Sequence, residues 1–210
     1  MKINKKHLLI TSLVTLLPIL IGLLLWKQLP NQVPTHFDFS GKADDYSSKT
    51  FAVFFLPLFM LAIHLFTVWL VSKDPKSGRL RKMAGLVYWI VPAISLFAQT
   101  MVFFAATGSG HGMTFNANIF MGLVFLVIGN YLPKIRQNYT VGIRVPWTLN
   151  NENNWNKTHR LAGKVWVAGG LLILIFGLLK ISNGIVFGIL LTIMIAFPII
   201  YSYRFYKNGN

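Results

Sequence analysis

Apolar residues in this chain gather into six long runs separated by polar stretches, approximately 8–26, 51–71, 83–106, 115–132, 165–181 and 184–203. A run of about 17 to 25 apolar residues wound as an α-helix crosses the roughly 30 Å hydrocarbon layer of a bilayer. Each run is therefore read as a membrane-spanning helix. The fourth is the shortest, because Asn116 and Asn118 stand at its start, and a re-entrant segment is its alternative. The first follows Lys2, Lys5 and Lys6 in the manner of a secretory signal, yet no small-residue cleavage site follows Trp26, so it is read as a retained helix. The pattern predicts an all-α integral membrane protein with six transmembrane helices in three hairpins.

Composition agrees: 54% of the 210 residues are apolar, more than one water-soluble core of this size uses. The formal charge of +15 changes the picture only through its placement. Sixteen of the twenty Lys and Arg fall in the N-terminal tail, the second and fourth connections and the C-terminal tail, all on one side of the predicted topology. The positive-inside rule then puts both termini in the cytoplasm, with an extracellular loop at 27–50 and a cytoplasmic loop at 133–164. Topology accounts for the basic excess, so the expected partner is the lipid bilayer, and direct nucleic-acid binding is not expected. The chain has no cysteine, which removes disulfides, thiolate metal sites and cysteine nucleophiles.

Two loops carry more chemistry than a connection needs. Residues 29–49 read LPNQVPTHFDFSGKADDYSSK. Pro30 and Pro34 favour extended backbone, Phe37, Phe39 and Tyr46 suit the headgroup region, Gly41 suits a tight turn, and Asp44 or Ser48 is placed to cap the second span. His36 and Asp38 form an H-x-D pair that Asp44 or His111 would have to supplement before a metal could be held; no metal is expected, because structural sites use about four ligands. Contact with a cationic or amphipathic peptide fits Pro34, His36, Phe37, Asp38, Gly41 and Asp44 better.

Residues 138–163, NYTVGIRVPWTLNNENNWNKTHRLAG, are the denser island. Asn150 or Asn151 is expected to cap a helix with Glu152 in its first turn. Trp155, His159 and Ala162 then share one face and Asn156 and Arg160 a neighbouring one, the pattern of an amphipathic helix lying at the inner membrane surface with Trp155 as an interfacial anchor. Gly163, Gly169 and Gly170 permit bending or close packing beyond it. Glu152 and His159 lack an accompanying nucleophile, metal set or cofactor loop, so neither an enzyme nor a cofactor is expected.

Within the spans, His64 and Gln99 are the polar residues of note. His64 is either an imidazole hydrogen-bonded to another helix through Thr67, Ser95, Gln99 or Asn130, or part of a proton path. No Asp or Glu lies inside any span, which argues against ordinary cation-coupled transport.

The island resembles the signature of the bacterial Sdp immunity protein family, carried here by Gly142, Ile143, Arg144, Pro146, Trp147, Thr148, Leu149, Trp155, Thr158, His159 and Arg160. The first loop, through Leu29, Pro30, Val33, Pro34, His36, Phe37, Gly41, Asp44, Ser48 and Lys49, is similar to an N-terminal membrane module of unassigned function often fused to the Sdp module. The resemblance implies an N-terminal module over 1–72 and an Sdp module over 73–210. It also implies a protein of Gram-positive bacteria that neutralises or senses a secreted antimicrobial peptide toxin on its outer side and, where a cytoplasmic repressor exists, relays the signal to it. A small proton- or peptide-moving transporter or channel is the alternative.

Overall fold

The computed structural model describes residues 2–38, 43–108, 117–181 and 183–209. Phe39, Gly41, Lys42, His111 and Asn116, on which some expectations rest, lie outside the described residues. The elements are α1 (Lys5–Leu24), β1 (Gln32–Phe37), β2 (Ala43–Ser48), a π-helical turn (Phe51–Phe55) leading into α2 (Leu56–Lys73), a 3-10 helix (Ser77–Met83) leading into α3 (Ala84–Ala106), α4 (Ala117–Tyr131), the short α5 (Pro146–Asn150), α6 (Glu152–Leu178) and α7 (Gly184–Lys207). Among the described residues, six helical segments are long and apolar enough to cross a bilayer, including the 18-residue Ala117–Lys134. The protein is a multi-pass membrane protein. Asparagine caps begin three of the helices: Asn4, Asn151 and Asn183 each accept backbone N–H groups of the first turn, and Asn151 is one of the two caps expected.

Packing divides the chain into two units. In one, residues 2–70 and 85–108, contacts along the helices make α3 run parallel to α1 and α2 antiparallel to both. Asn4 donates its N–H to the Tyr88 hydroxyl at 2.9 Å, and Ser95 Oγ donates to the Thr15 carbonyl at 3.4 Å. Near the other end, a Cβ on Gly22 would meet Val53 at 2.7 Å and Phe103 at 3.0 Å.

The first loop adds one small element to the helices, an antiparallel hairpin of β1 and β2. Val33 and Leu29 bury against Ala52, Val53, Val102 and Phe103, with Phe37 packed alongside. Lys49 staples the base: its Nζ donates to the Trp26 and Leu29 carbonyls at 3.2 Å each and sits 4.8 Å from the Trp26 ring centre. Ser48 Oγ accepts the Phe51 N–H at 3.2 Å, the capping role expected at the start of the second span.

The other unit comprises residues 71–84 and the described part of 116–210. Its centre is a close antiparallel approach of α4 and α6. Glycines repeat every seven residues on both helices, Gly122 and Gly129 facing Gly163, Gly170 and Gly177. A Cβ on Gly122 would lie 2.8 Å from the Gly170 carbonyl oxygen, and one on Gly129 2.8 Å from the Val167 nitrogen. In lipid, where apolar side chains gain little by leaving the solvent, such backbone contact supplies the packing energy. Gly169 similarly admits Met194 of α7. Pro198 has no N–H for the Met194 carbonyl four residues earlier, and the Trp166 indole donates to that carbonyl instead, at 2.9 Å.

Candidate functional site

Between α4 and α6 the chain could simply turn; here it folds into a hydrogen-bonded platform. Asn138, fully buried, uses its whole amide: Oδ1 accepts from the N–H groups of Thr140 and Val141 at 2.8 and 2.7 Å, and Nδ2 donates to the Arg136 and Val141 carbonyls at 2.9 Å each. Asp74, also buried, accepts from the backbone of Lys76 and Tyr139 at 2.6 and 2.8 Å and from the Thr140 hydroxyl. Lys76 Nζ donates to Gln137 Oε1 at 2.9 Å, and Gln137 Nε2 reaches the carbonyls of Thr148 and Leu149. Arg144, exposed, donates to the Tyr139 carbonyl at 2.6 Å. The segment 135–145 is thus shaped by side-chain amides and one carboxylate rather than by regular structure.

This platform covers the face of α6 that carries Trp155 and His159. Trp155 donates its indole N–H to the Ile135 carbonyl at 2.8 Å and stacks on His159 with ring centres 4.1 Å apart. His159 Nδ1 donates to the Trp155 carbonyl at 2.9 Å, which leaves Nε2 to accept the Ile143 N–H at 3.0 Å. Both ring nitrogens are therefore engaged, and the hydrogen bonds fix which one carries the proton. Gly142 passes directly over the pair with φ +117, and a Cβ there would run into His159 Nε2 and lie 3.2 Å from the Trp155 ring.

These contacts correct two expectations. Residues 152–178 form one continuous helix rather than a surface helix joined to a span. Trp155 and His159 are buried, so Trp155 is a core residue and not an interfacial anchor. Helical periodicity found the correct face but not what covers it. Arg160 remains exposed, and Glu152, at the helix start, pairs with Arg79 at 3.3 Å.

A second chain of bonds ties the platform to α7. Trp147 donates its indole N–H to Ser202 Oγ at 2.6 Å; Ser202 Oγ and Thr158 Oγ1 each donate to Asn154 Oδ1 at 2.9 Å; Asn154 Nδ2 returns to the Ser202 carbonyl at 3.0 Å. Thr148 Oγ1 accepts from the Val145 N–H at 3.1 Å and donates to the Ile143 carbonyl at 2.8 Å, holding Pro146 at the first turn of α5. Tyr203 packs edge-on to Trp147 and Tyr206 stacks beside it. Pro146, Trp147, Asn150, Asn151, Tyr206 and Gly209 line an open cleft of about 450 Å³.

The structure thus brings Gly142, Pro146, Trp147, Trp155, Thr158 and His159 into one assembly, with Arg144 at its edge and Arg160 outside it. Sequence reading gave no role to Asp74, Gln137, Asn138, Asn154 and Ser202: Asn138 and Asn154 lay unremarked within the island, and the other three are polar residues beside or within apolar runs. In the hairpin, His36 pairs with Asp44, Nδ1 to Oδ1 2.6 Å, across the strands. That hydrogen bond, with the charge of Asp44 behind it, raises the His36 pKa above its ordinary value. Pro34 is buried and Phe37 half-buried, while Asp38 follows β1 at the exposed edge. Among the described residues no three His, Asp or Glu side chains converge on a metal position. Within the spans His64 and Gln99 are both buried in the unit of α1, α2 and α3. The partner of His64 is Thr11, at 2.9 Å, which was not among those expected.

Comparison with known proteins gives the same direction. Residues 134–202 match the SdpI/YfhL protein family, and residues 13–61 match a domain of unknown function, DUF1648. The chain is 26% identical over 211 residues to Immunity protein SdpI of Bacillus subtilis (strain 168), covering 98% of each chain. No solved structure matches. The island that folds into the platform therefore lies within the stretch that matches the SdpI/YfhL family, and the multi-pass membrane protein that carries it is similar to an Sdp immunity protein from end to end.

Proposed function

We propose that this protein protects the cell that makes it against a secreted antimicrobial peptide, acting as a binding and sensing device rather than as a catalyst. The observation that carries the reading is the similarity to an immunity protein along 98% of both chains. Its physical support is that the signature residues interlock with α6 and α7 and have no exposed reactive group among them. In this reading both termini and the platform face the cytoplasm, the side that the positive-inside rule favours for these cations, and the β1–β2 hairpin faces outward.

The hairpin suits a peptide contact: Asp44, Asp45 and Tyr46 are exposed, while Val33 and Lys49 root it in the helix ends. A peptide that binds one packing of these helices better than another shifts the population toward it. The platform and its cleft at Trp147 and Tyr206 are the surface that a cytoplasmic repressor would read. Expression in cells killed by the cognate peptide tests this. The wild-type chain protects; Trp147→Ala, inserted at a normal level, protects poorly. Full protection by the inserted variant contradicts the role given to the platform, and no protection by the wild type contradicts the immunity reading. A second reading, a mover of protons or peptide, draws on the buried His64 and Gln99; flux into liposomes that disappears in His64→Ala favours it.

A further inference from the structure

Because α6 is one unbroken helix from Glu152 to Leu178, a single register sets the direction of every side chain on it. Trp155 and His159 turn under the platform, and Gly163, Gly170 and Gly177 turn toward α4 and the turn that follows it. Lys157, Arg160 and Lys164, spaced by three and four residues, share another side. At about 100° per residue that side lies roughly opposite Trp155 and His159. All three cations are exposed, and the same side continues into Ala168, Leu171 and Ile175, exposed as well. In a membrane protein an exposed apolar stripe of this kind meets acyl chains. A separate surface helix could have turned these cations to water; the continuous helix points them at lipid.

Their depth follows from the same register. Lys164 borders the apolar residues 165–178. With a rise of ~1.5 Å per residue, Arg160 stands about 6 Å and Lys157 about 10 Å farther out, and one headgroup layer is about 5–7 Å thick. Lys164 and Arg160 are thus at the level of lipid phosphates, with Lys157 at the outer edge. Lys157 Nζ lies 4.4 Å from the ring centre of Phe205. Arg160 and Lys164 have no ion pair among the described residues. Nor is a carboxylate left for them in this unit: Asp74 is buried and bonded to Lys76, Tyr139 and Thr140, and Glu152 pairs with Arg79.

We propose that this side of α6 binds an anionic phospholipid, its phosphate held by Arg160 and Lys164 and its acyl chains lying along Leu171 and Ile175. A guanidinium gives a phosphate two parallel hydrogen bonds, and an ammonium beside it adds a point charge. A zwitterionic headgroup brings its own ammonium and leaves the pair uncompensated, and a second copy of the chain packed here would add like charges. The bound lipid fixes the depth of α6 and with it the platform on the opposite side of the helix. The site does not depend on the immunity reading.

The test uses the full chain with a bimane dye on Ala168→Cys, a single thiol in a chain that has none, in mixed bilayers of phosphatidylglycerol and phosphatidylcholine with brominated acyl chains on one lipid or the other. Bromine quenches the dye on contact, so the ratio of quenching reads the lipid preference at this face. A cation near the membrane surface favours anionic lipid by about fivefold. Phosphatidylglycerol is therefore expected to be preferred by about fivefold or more, the preference falling to near one in Arg160→Gln with Lys164→Gln and persisting in Arg81→Gln with Lys82→Gln, which removes the same charge from exposed positions elsewhere. Should the first double variant fail to insert, its two single variants carry the comparison, each with a reduced preference. Equal quenching by the two lipids in wild type, a preference unchanged without Arg160 and Lys164, or an equal fall in the Arg81 and Lys82 variant overturns the proposal. So does quenching by neither lipid, the mark of a face covered by protein, or a preference abolished by inorganic phosphate at constant ionic strength, the mark of a free-anion site.

Discussion

Replacing Gly142 by alanine strikes the platform where its backbone is most constrained. Its φ of +117 lies in a region that side-chain-bearing residues rarely adopt, and forcing one there costs about 1–3 kcal/mol. The new Cβ also runs into His159 Nε2, the acceptor of the Ile143 N–H. Displacing the ring leaves that half-buried N–H without its partner, a further loss toward the lower end of about 1–3 kcal/mol. Together the two effects lower the free energy of opening the loop by about 2 kcal/mol or more, and at about 1.4 kcal/mol per tenfold this is a gain of about 30-fold or more in the open population. Amide hydrogen exchange of the protein in lipid nanodiscs reads the opening directly, because exchange of a protected amide scales with the population of the open form. Exchange at 140–145 is expected to accelerate by about that factor, with α4 unchanged. Gly78→Ala is the control, since a Cβ there meets nothing within 4 Å and its φ is not positive. Equal protection of the Ile143 amide in Gly142→Ala and wild type would refute the argument.

The same structure makes three other expectations. Gly170→Leu places a Cβ 2.9 Å from the Leu126 nitrogen and 3.0 Å from the Gly122 carbonyl oxygen; backbone cannot yield, so folding is lost or weakened by more than the usual ~1–3 kcal/mol of overpacking, read by unfolding in mixed micelles against Gly188→Leu, where the space is open. Lys180 follows α6 with φ 56, and Ile181 N–H returns to the Phe176 carbonyl at 2.8 Å. This is a helix end that glycine fits best, so Lys180→Gly is expected to raise stability by about 0.5–1 kcal/mol, and a lower unfolding midpoint would contradict it. Because the His36 pKa is raised in the folded hairpin, its pairing with Asp44 contributes fully below the ordinary histidine value of 6.5 and is lost as pH rises through the raised one. Histidine NMR shifts should show a raised midpoint that returns toward the ordinary value in Asp44→Asn.

The six spans were legible because lipid imposes one requirement on every crossing residue, and a run of apolar side chains meets it without reference to the rest of the chain. Asn151 as a cap and the close packing at Gly163, Gly169 and Gly170 were legible for a similar reason: each depends on a local rule. The hairpin was not, because Gln32–Phe37 and Ala43–Ser48 are short and mostly polar, and Pro34 argues against a strand; they pair only because Val33 and Phe37 find apolar partners near Val53 and Phe103. The burial of Trp155 and His159 was hidden for a different reason. Their cover is built by Asn138 and Asp74, the latter 81 residues from Trp155 in the chain, and helical periodicity carries no information about such a partner. Likewise the match of His64 with Thr11 joins two helices through residues that hydropathy treats as minor defects.

The account's central claim is that the hairpin and the platform face opposite sides of the membrane, the first toward a peptide outside and the second toward the cell interior. Having no native cysteine, the chain accepts single thiols directly, and Asp45 in β2 and Asn153 in the first turn of α6 are exposed positions. A membrane-impermeant maleimide is expected to label Asp45→Cys in intact cells and Asn153→Cys only after the cells are permeabilised. Labelling of Asn153→Cys in intact cells, with Asp45→Cys protected or equally labelled, would contradict it.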